Sequence, residues 1–165
     1  MLKNTEKAKR FLKTSLTVLI ILTAAFILIQ SCLPPAVSGE ESAAVSGFLA
    51  SILPSGTWIY TFVTENVRKL AHFFEYGALG MELAVYTVAF VDRKRLAFII
   101  LPLCGLLFGF IDETVQIFSN RGPLISDVWL DAAGFSVFLY ATLGAVCAFF
   151  ALRNKYMEKL ASNKG

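Results

Sequence analysis

Charge is what this chain has least of: 16% of its 165 residues are Asp, Glu, Lys or Arg, against 56% apolar. So few charges exclude an ordinary soluble domain, and a mean hydropathy of +0.66 agrees. Cysteine is scarce too. Cys32, Cys104 and Cys147 are odd in number and lack the spacing of zinc ligands, so no disulfide framework or metal knuckle is implied. They read as small apolar packing residues. Histidine occurs once, as His72. Ser119 and Ser126 stand near acidic residues but in no nucleophile-elbow setting, so the catalytic residues, if there are any, are unknown. No internal repeat or low-complexity tract is present, which argues against a transporter built from inverted repeats. The net charge of +3 is accounted for below by orientation, and no nucleic-acid partner is expected.

What the chain does have is long apolar runs. A spanning helix needs roughly 20 mostly apolar residues, because the hydrocarbon core is about 30 Å thick. Stretches of about 12–32, 72–91, 96–118 and 128–151 meet that length. They consume about half the chain and leave no room for a separate soluble domain. The expected fold is all-α: a four-transmembrane-helix bundle forming one membrane domain over 1–165. The first run follows Lys3, Lys7, Lys9, Arg10 and Lys13 and ends at ILIQSC, like a secretory signal. It exceeds a signal's usual apolar length, and Gln30 fits a lipoprotein box poorly, so a retained first helix is expected rather than a cleaved one.

Orientation follows from the basic residues. Twelve of the fifteen Lys and Arg lie in the N-terminal arm, the link Arg93–Lys94–Arg95, and the tail with Arg153, Lys155, Lys159 and Lys164. The positive-inside rule puts those segments, and both termini, in the cytoplasm. Arg68, Lys69 and Arg121 are left outside, with nine of the twelve acids toward the outer side. The localisation expected is a multi-pass protein of the cell membrane, with membrane lipids as partners.

One external connection is long, roughly 33–70. Pro34–Pro35 stops the first helix. Ser38 is placed to cap a helix of about 40–53, with Glu40 and Glu41 in its first turn. Val45, Phe48, Leu49 and Ile52 recur at helical spacing, which gives an extra external amphipathic helix, packed on the bundle or folded over it as a lid. Pro54–Ser55–Gly56 ends it, and Trp58 and Tyr60 are interface-type aromatics.

Polar residues interrupt the later spans in register. His72, Glu75 and Tyr76 share one side of the second, with Glu82 two turns deeper, and Gly77 and Gly80 offer close approach. In the third, Gly105, Gly109, Asp112 and Gln116 form one stripe, and Glu113 is turned about 100° away. In the fourth, Asp127, Asp131 and Gly134 repeat the scheme, followed by Ala141 and Ala145. The turn between these two spans carries Arg121 and the breaker Gly122–Pro123. Polar groups scattered toward lipid would each cost too much, so three helices should present them to one outward-facing cluster. That cluster is either a site or a network holding the helices in register. The acids exceed the cations around it, which favours a site. Neither a cofactor nor a metal is required by the spacing.

The ordered set resembles the VanZ-like family of bacterial membrane proteins. The segment K-x-x-H-F-x-x-Y is matched by Lys69, His72, Phe73 and Tyr76, and D-E-x-x-Q-x-F by Asp112, Glu113, Gln116 and Phe118. Arg121, Asp127, Asp131 and Gly134 match R-x-x-x-x-x-D-x-x-x-[ND]-x-x-G. Asp131 stands where many members carry Asn, and two residues rather than three separate Phe118 from Arg121. The resemblance implies a cell-envelope protein linked to resistance to teicoplanin, a lipid-tailed glycopeptide antibiotic.

Three functions follow as expectations. The first is recognition of an amphiphile at the outer leaflet: a lipid headgroup, a lipid-linked wall precursor or a lipoglycopeptide. Arg121 would take phosphate or carboxylate, the acids hydroxyls or an amine, and Gln116 would orient the ligand. The second is an intramembrane hydrolase or transferase using His72 with Glu75 and paired carboxylates, to which a divalent cation held by the acids and His72 is a conceivable addition. The third is proton or ion movement past Glu82. The glycine and alanine stripes leave room for a homodimer.

Overall fold

The computed structural model describes residues 2–122 and 124–162, all helix apart from short connections. The six helices are α1 Leu2–Cys32, α2 Pro35–Ile52, α3 Trp58–Glu65, α4 Val67–Phe90, α5 Lys94–Phe118 and α6 Ile125–Ser162. The all-α expectation holds, and each expected span falls on a helix, α4 stopping one residue short. Three helical segments are long and apolar enough to cross a membrane: Glu6–Cys32, Lys94–Phe118 and Ile125–Met157.

α4 is not among them, and its position explains why. It is the helix that touches each of the other five. With one face packed against the other helices, it carries His72, Glu75 and Glu82 along that side and exposed Arg68 near its start, which lower its apolarity. Ile27 of α1, Tyr76, Leu79 and Ala84 of α4, Phe98 of α5, and Phe135 and Leu139 of α6 form the buried core. The outward faces keep large apolar residues such as Ile21, Leu103, Leu107 and Val137 exposed. A soluble protein would not leave so much apolar surface bare.

Glycine sets how closely α4 approaches α6. A Cβ on Gly80 would lie 2.2 Å from the carbonyl oxygen of Phe135, and one on Gly134 would lie 2.3 Å from that of Phe73. The two helices therefore meet backbone to backbone over two turns, as small residues permit. Gly105 of α5 receives the ring of Phe135. The stripe on α6 does not continue as the spacing suggested. Ala141 and Ala145 are exposed, and Gly144 has no neighbour within 4 Å. Leu139 and Leu143 carry the contact with the core onward from Gly134, on a different face of α6 from these small residues.

The segment between α1 and α4 differs from expectation in its start. α2 begins at Pro35, with no acid in its first turn, so Ser38 is inside the helix and caps nothing. Proline at the first helical position needs no donor and has its φ preset, which lets the helix begin early. None of its residues is buried, so its apolar face is not packed into the core: Phe48 and Ile52 are exposed. After the break at Gly56 (φ 79°), Thr57 caps α3 by accepting from the Tyr60 amide at 3.2 Å. That eight-residue helix was not anticipated, and Trp58 on it is exposed.

Candidate functional site

The α5–α6 turn positions the most consequential side chains. Asn120 adopts the left-handed conformation (φ 56°) just after α5. The Asn120 amide donates to Ile117 at 3.2 Å and the Arg121 amide to Gln116 at 3.0 Å. This paired pattern is a Schellman stop, with asparagine taking the place glycine usually holds. It reverses the chain so that the Arg121 side chain turns back beneath the loop and is buried. Glu113 fixes the other end of the turn, where its carboxylate accepts from the Leu124 amide at 3.0 Å. Pro123 lies outside the described residues; Gly122 is exposed with nothing packed on it.

His72 of α4, Asp112 of α5 and Asp131 of α6 converge in the space this turn covers. His72 Nδ1 lies 3.5 Å from Asp131 Oδ1 and 3.7 Å from Asp112 Oδ2. Both carboxylates are completely buried. Asp112 accepts from the Ser31 hydroxyl at the end of α1, and from Gln116 Nε2 at 3.2 Å. The same amide donates to Glu113 at 3.2 Å, while Gln116 Oε1 accepts from Arg68 at 2.8 Å. Gln116 is thus an organiser, its two ends spoken for by an acid pair and a guanidinium. Ser119 closes the circle by donating to the Ser31 carbonyl at 2.8 Å.

Hydrogen bonding is incomplete at the centre. His72 Nδ1, the Tyr76 hydroxyl and both oxygens of Asp131 are buried with no hydrogen-bond partner among the described residues. Arg121 is in the same state at the edge: Nη1 donates to the Gln30 carbonyl at 3.3 Å, but Nε and Nη2 have no partner. Burial, and then the like charge of Arg68, lower the Arg121 guanidinium from its ordinary value. Neither arginine is within ion-pair distance of Asp112 or Asp131; only His72 is, among the described residues.

A cavity of about 480 Å³ opens beside this knot, between α2 and α4. Val45, Leu49, Val67 and Leu70 supply apolar wall, and Arg68, His72, Glu75 and Arg121 supply polar groups. Its size falls within the range of small-ligand pockets. A smaller cavity of about 220 Å³ lies on the other side of His72, lined by Arg68, Lys69 and Asp127.

The structure therefore joins His72, Tyr76, Asp112, Glu113, Gln116 and Asp131 in one buried group, with Glu75 and Arg121 on the cavity beside it. Asp127 is not in the knot. It sits at the start of α6, accepts from Ser126 at 3.1 Å, and lines the smaller cavity. Glu82 is separate and deeper, accepting from Thr23 of α1 at 2.9 Å. Residue patterns missed Ser31, Gln30 and Thr23, all on α1. The only signal was a pair of polar residues, Gln30–Ser31, at the end of an apolar run.

No curated protein and no solved structure matches the chain. The model of the VanZ/LLP1 family matches residues 16–153. That range holds every residue of the knot and of the α5–α6 turn, and most of the chain: the protein belongs to the VanZ/LLP1 family.

Proposed function

We propose that this protein is a multi-pass cell-envelope membrane protein whose cavity receives an anionic amphiphile at the outer leaflet. In this reading α1, α4, α5 and α6 all span the bilayer, with both termini cytoplasmic. Support for the orientation comes from the two ends of the bundle. One carries Lys9, Arg10, Lys13 and Lys94 around a cleft, as the positive-inside rule expects of the cytoplasmic end. The other carries the polar knot, α2 and α3.

The observation that carries the reading is Arg121. A buried guanidinium with two unpartnered nitrogens is costly unless an anion completes it. Arg68 adds a second positive charge, set against Glu41 and Glu75 in the same lining, and the apolar wall suits an alkyl chain. Phosphate or carboxylate at the mouth, with the tail along Val45 and Leu49, satisfies both halves. A lipid headgroup, a lipid-linked wall precursor and a lipoglycopeptide share this chemistry, and the family's association with teicoplanin resistance belongs to the same class. The alternative is a hydrolase or transferase acting on such a lipid, favoured by the meeting of His72 with two carboxylates.

Dodecyl phosphate tests the reading on detergent-purified protein. It should raise the melting temperature of the wild type, whereas dodecanol and inorganic phosphate should do so far less. Losing one charge-assisted contact in Arg121→Ala should weaken binding by about tenfold or more. An equal response in Arg121→Ala, or none in the wild type, refutes the proposal. Turnover of a lipid phosphoester that stops in His72→Ala would favour the enzyme instead.

A further inference from the structure

We propose that His72, Asp112 and Asp131 form a divalent-cation site at the floor of the outer cavity. Each of three helices contributes one ligand, and the three donor atoms lie within 4.8 Å of one another. The separations are informative. At 3.5 and 3.7 Å, His72 Nδ1 is too far from either carboxylate for a normal hydrogen bond. Two ligands of one ion, each about 2.1 Å from it, stand roughly 3.4–3.6 Å apart at near-tetrahedral angles. The two His72 separations have that spacing rather than the spacing of hydrogen bonds.

A second, independent observation points the same way. Asp131 is completely buried and, among the described residues, neither of its oxygens finds a donor. The Tyr76 hydroxyl, one helical turn beyond His72 and also completely buried, has no partner among them either. A cation between Asp131, Asp112 and His72 supplies what these acceptors lack and balances two carboxylates against a single imidazole. Asp112 is held in place from outside the triad by Ser31 and Gln116, the kind of support that orients metal ligands. Two carboxylates and one imidazole favour a borderline ion such as zinc, or a hard one such as manganese, over a soft one.

His72 lines both flanking cavities, while Asp112 and Asp131 are buried behind it, so the imidazole connects the ion to the cavity assigned above to the amphiphile. The site thereby deepens that reading: the cation would add to the positive charge that Arg121 and Arg68 present to the anion. The cation itself stands or falls on separate evidence.

The test uses the full chain in detergent, stripped with chelator, desalted, and loaded with Zn²⁺ or Mn²⁺. Elemental analysis should find about one equivalent per chain, and Mn²⁺ electron spin-echo spectra should show imidazole nitrogen coupling. Asp131→Asn, which keeps the side chain's shape, should weaken binding by about tenfold or more, as should His72→Gln. Arg121→Ala should lose dodecyl phosphate but keep the metal, which separates the two proposals. Folded wild-type protein that retains neither ion, or Asp131→Asn that retains full affinity, overturns the site. If a ligand variant fails to fold, the wild-type stoichiometry and nitrogen coupling decide alone, and their absence is equally fatal.

Discussion

Replacing Gly134 with alanine puts a methyl group where there is no room for one. The new carbon would begin 2.3 Å from the Phe73 carbonyl oxygen, and in Gly80→Ala the distance to the Phe135 oxygen would be 2.2 Å. Neither obstacle is a flexible side chain; both are backbone. Restoring a tolerable contact requires α4 and α6 to part by about 1 Å. Overpacking of this kind costs roughly 1–3 kcal/mol, and a rigid obstacle belongs at the upper end. Alanine's better helix propensity returns up to about 1 kcal/mol, leaving a net loss near 2 kcal/mol for each variant. At about 2–4 °C per kcal/mol for a chain of this length, the melting temperature should fall by several degrees. The readout is tryptophan fluorescence or size-exclusion recovery of heated protein in detergent. Gly144→Ala, with nothing within 4 Å, is the control and should be neutral or slightly stabilising. Combining the two damaging changes should cost less than their sum, because separation forced by one methyl makes room for the other. Singles as stable as Gly144→Ala, or a fully additive double, would refute backbone contact as the basis of this interface.

Two further outcomes are expected. Thr23→Val removes the hydrogen bond from α1 to Glu82 and should destabilise by about 0.6 kcal/mol, the average for such bonds in membranes, with Glu82→Gln close to neutral because its carbonyl still accepts; a loss of several kcal/mol in either would mean that Glu82 carries more than the docking of α1. In a chain whose other cysteines are removed, exposed Cys32 should react with a membrane-impermeant maleimide from outside the cell, and Lys155→Cys only after permeabilisation; the reverse pattern would invert the orientation.

Much of the architecture was legible because membrane helices are written in one variable, the length of apolar runs. The polar stripes were legible too, since His72, Asp112, Gln116 and Asp131 obey helical spacing and the glycines below them mark close packing. Three things escaped for distinct physical reasons. α1 seemed uniformly apolar, yet its Ser31 donates a hydrogen bond to Asp112, because one hydroxyl hardly alters the hydropathy of a run. α2 starts at Pro35 rather than near 40 because proline can open a helix as readily as it ends one. Asp127 shares a face with Asp131 by spacing but sits a turn nearer the loop, where it lines the smaller cavity beside α4 instead of entering the buried knot, so periodicity placed it in a cluster that depth excludes.

The same reasoning links the packing of the bundle to the chemistry at its end. His72 immediately precedes Phe73, whose carbonyl meets Gly134, and Asp131 lies one turn before Gly134 on α6. One of the two close backbone approaches between α4 and α6 is therefore adjacent to the pair whose side chains stand 3.5 Å apart. A bulkier residue at either glycine would move His72 relative to Asp131 by an amount comparable to the tolerance of a coordination sphere, about 0.2 Å, or larger. Gly134→Ala should then lose divalent-cation affinity out of proportion to its loss of stability, while Thr23→Val, which loosens α1 further down, should lose stability alone. If both variants kept their metal equally well, the glycine contact would serve packing only, and the spacing of the triad would have to be set by the Ser31 and Gln116 bonds to Asp112.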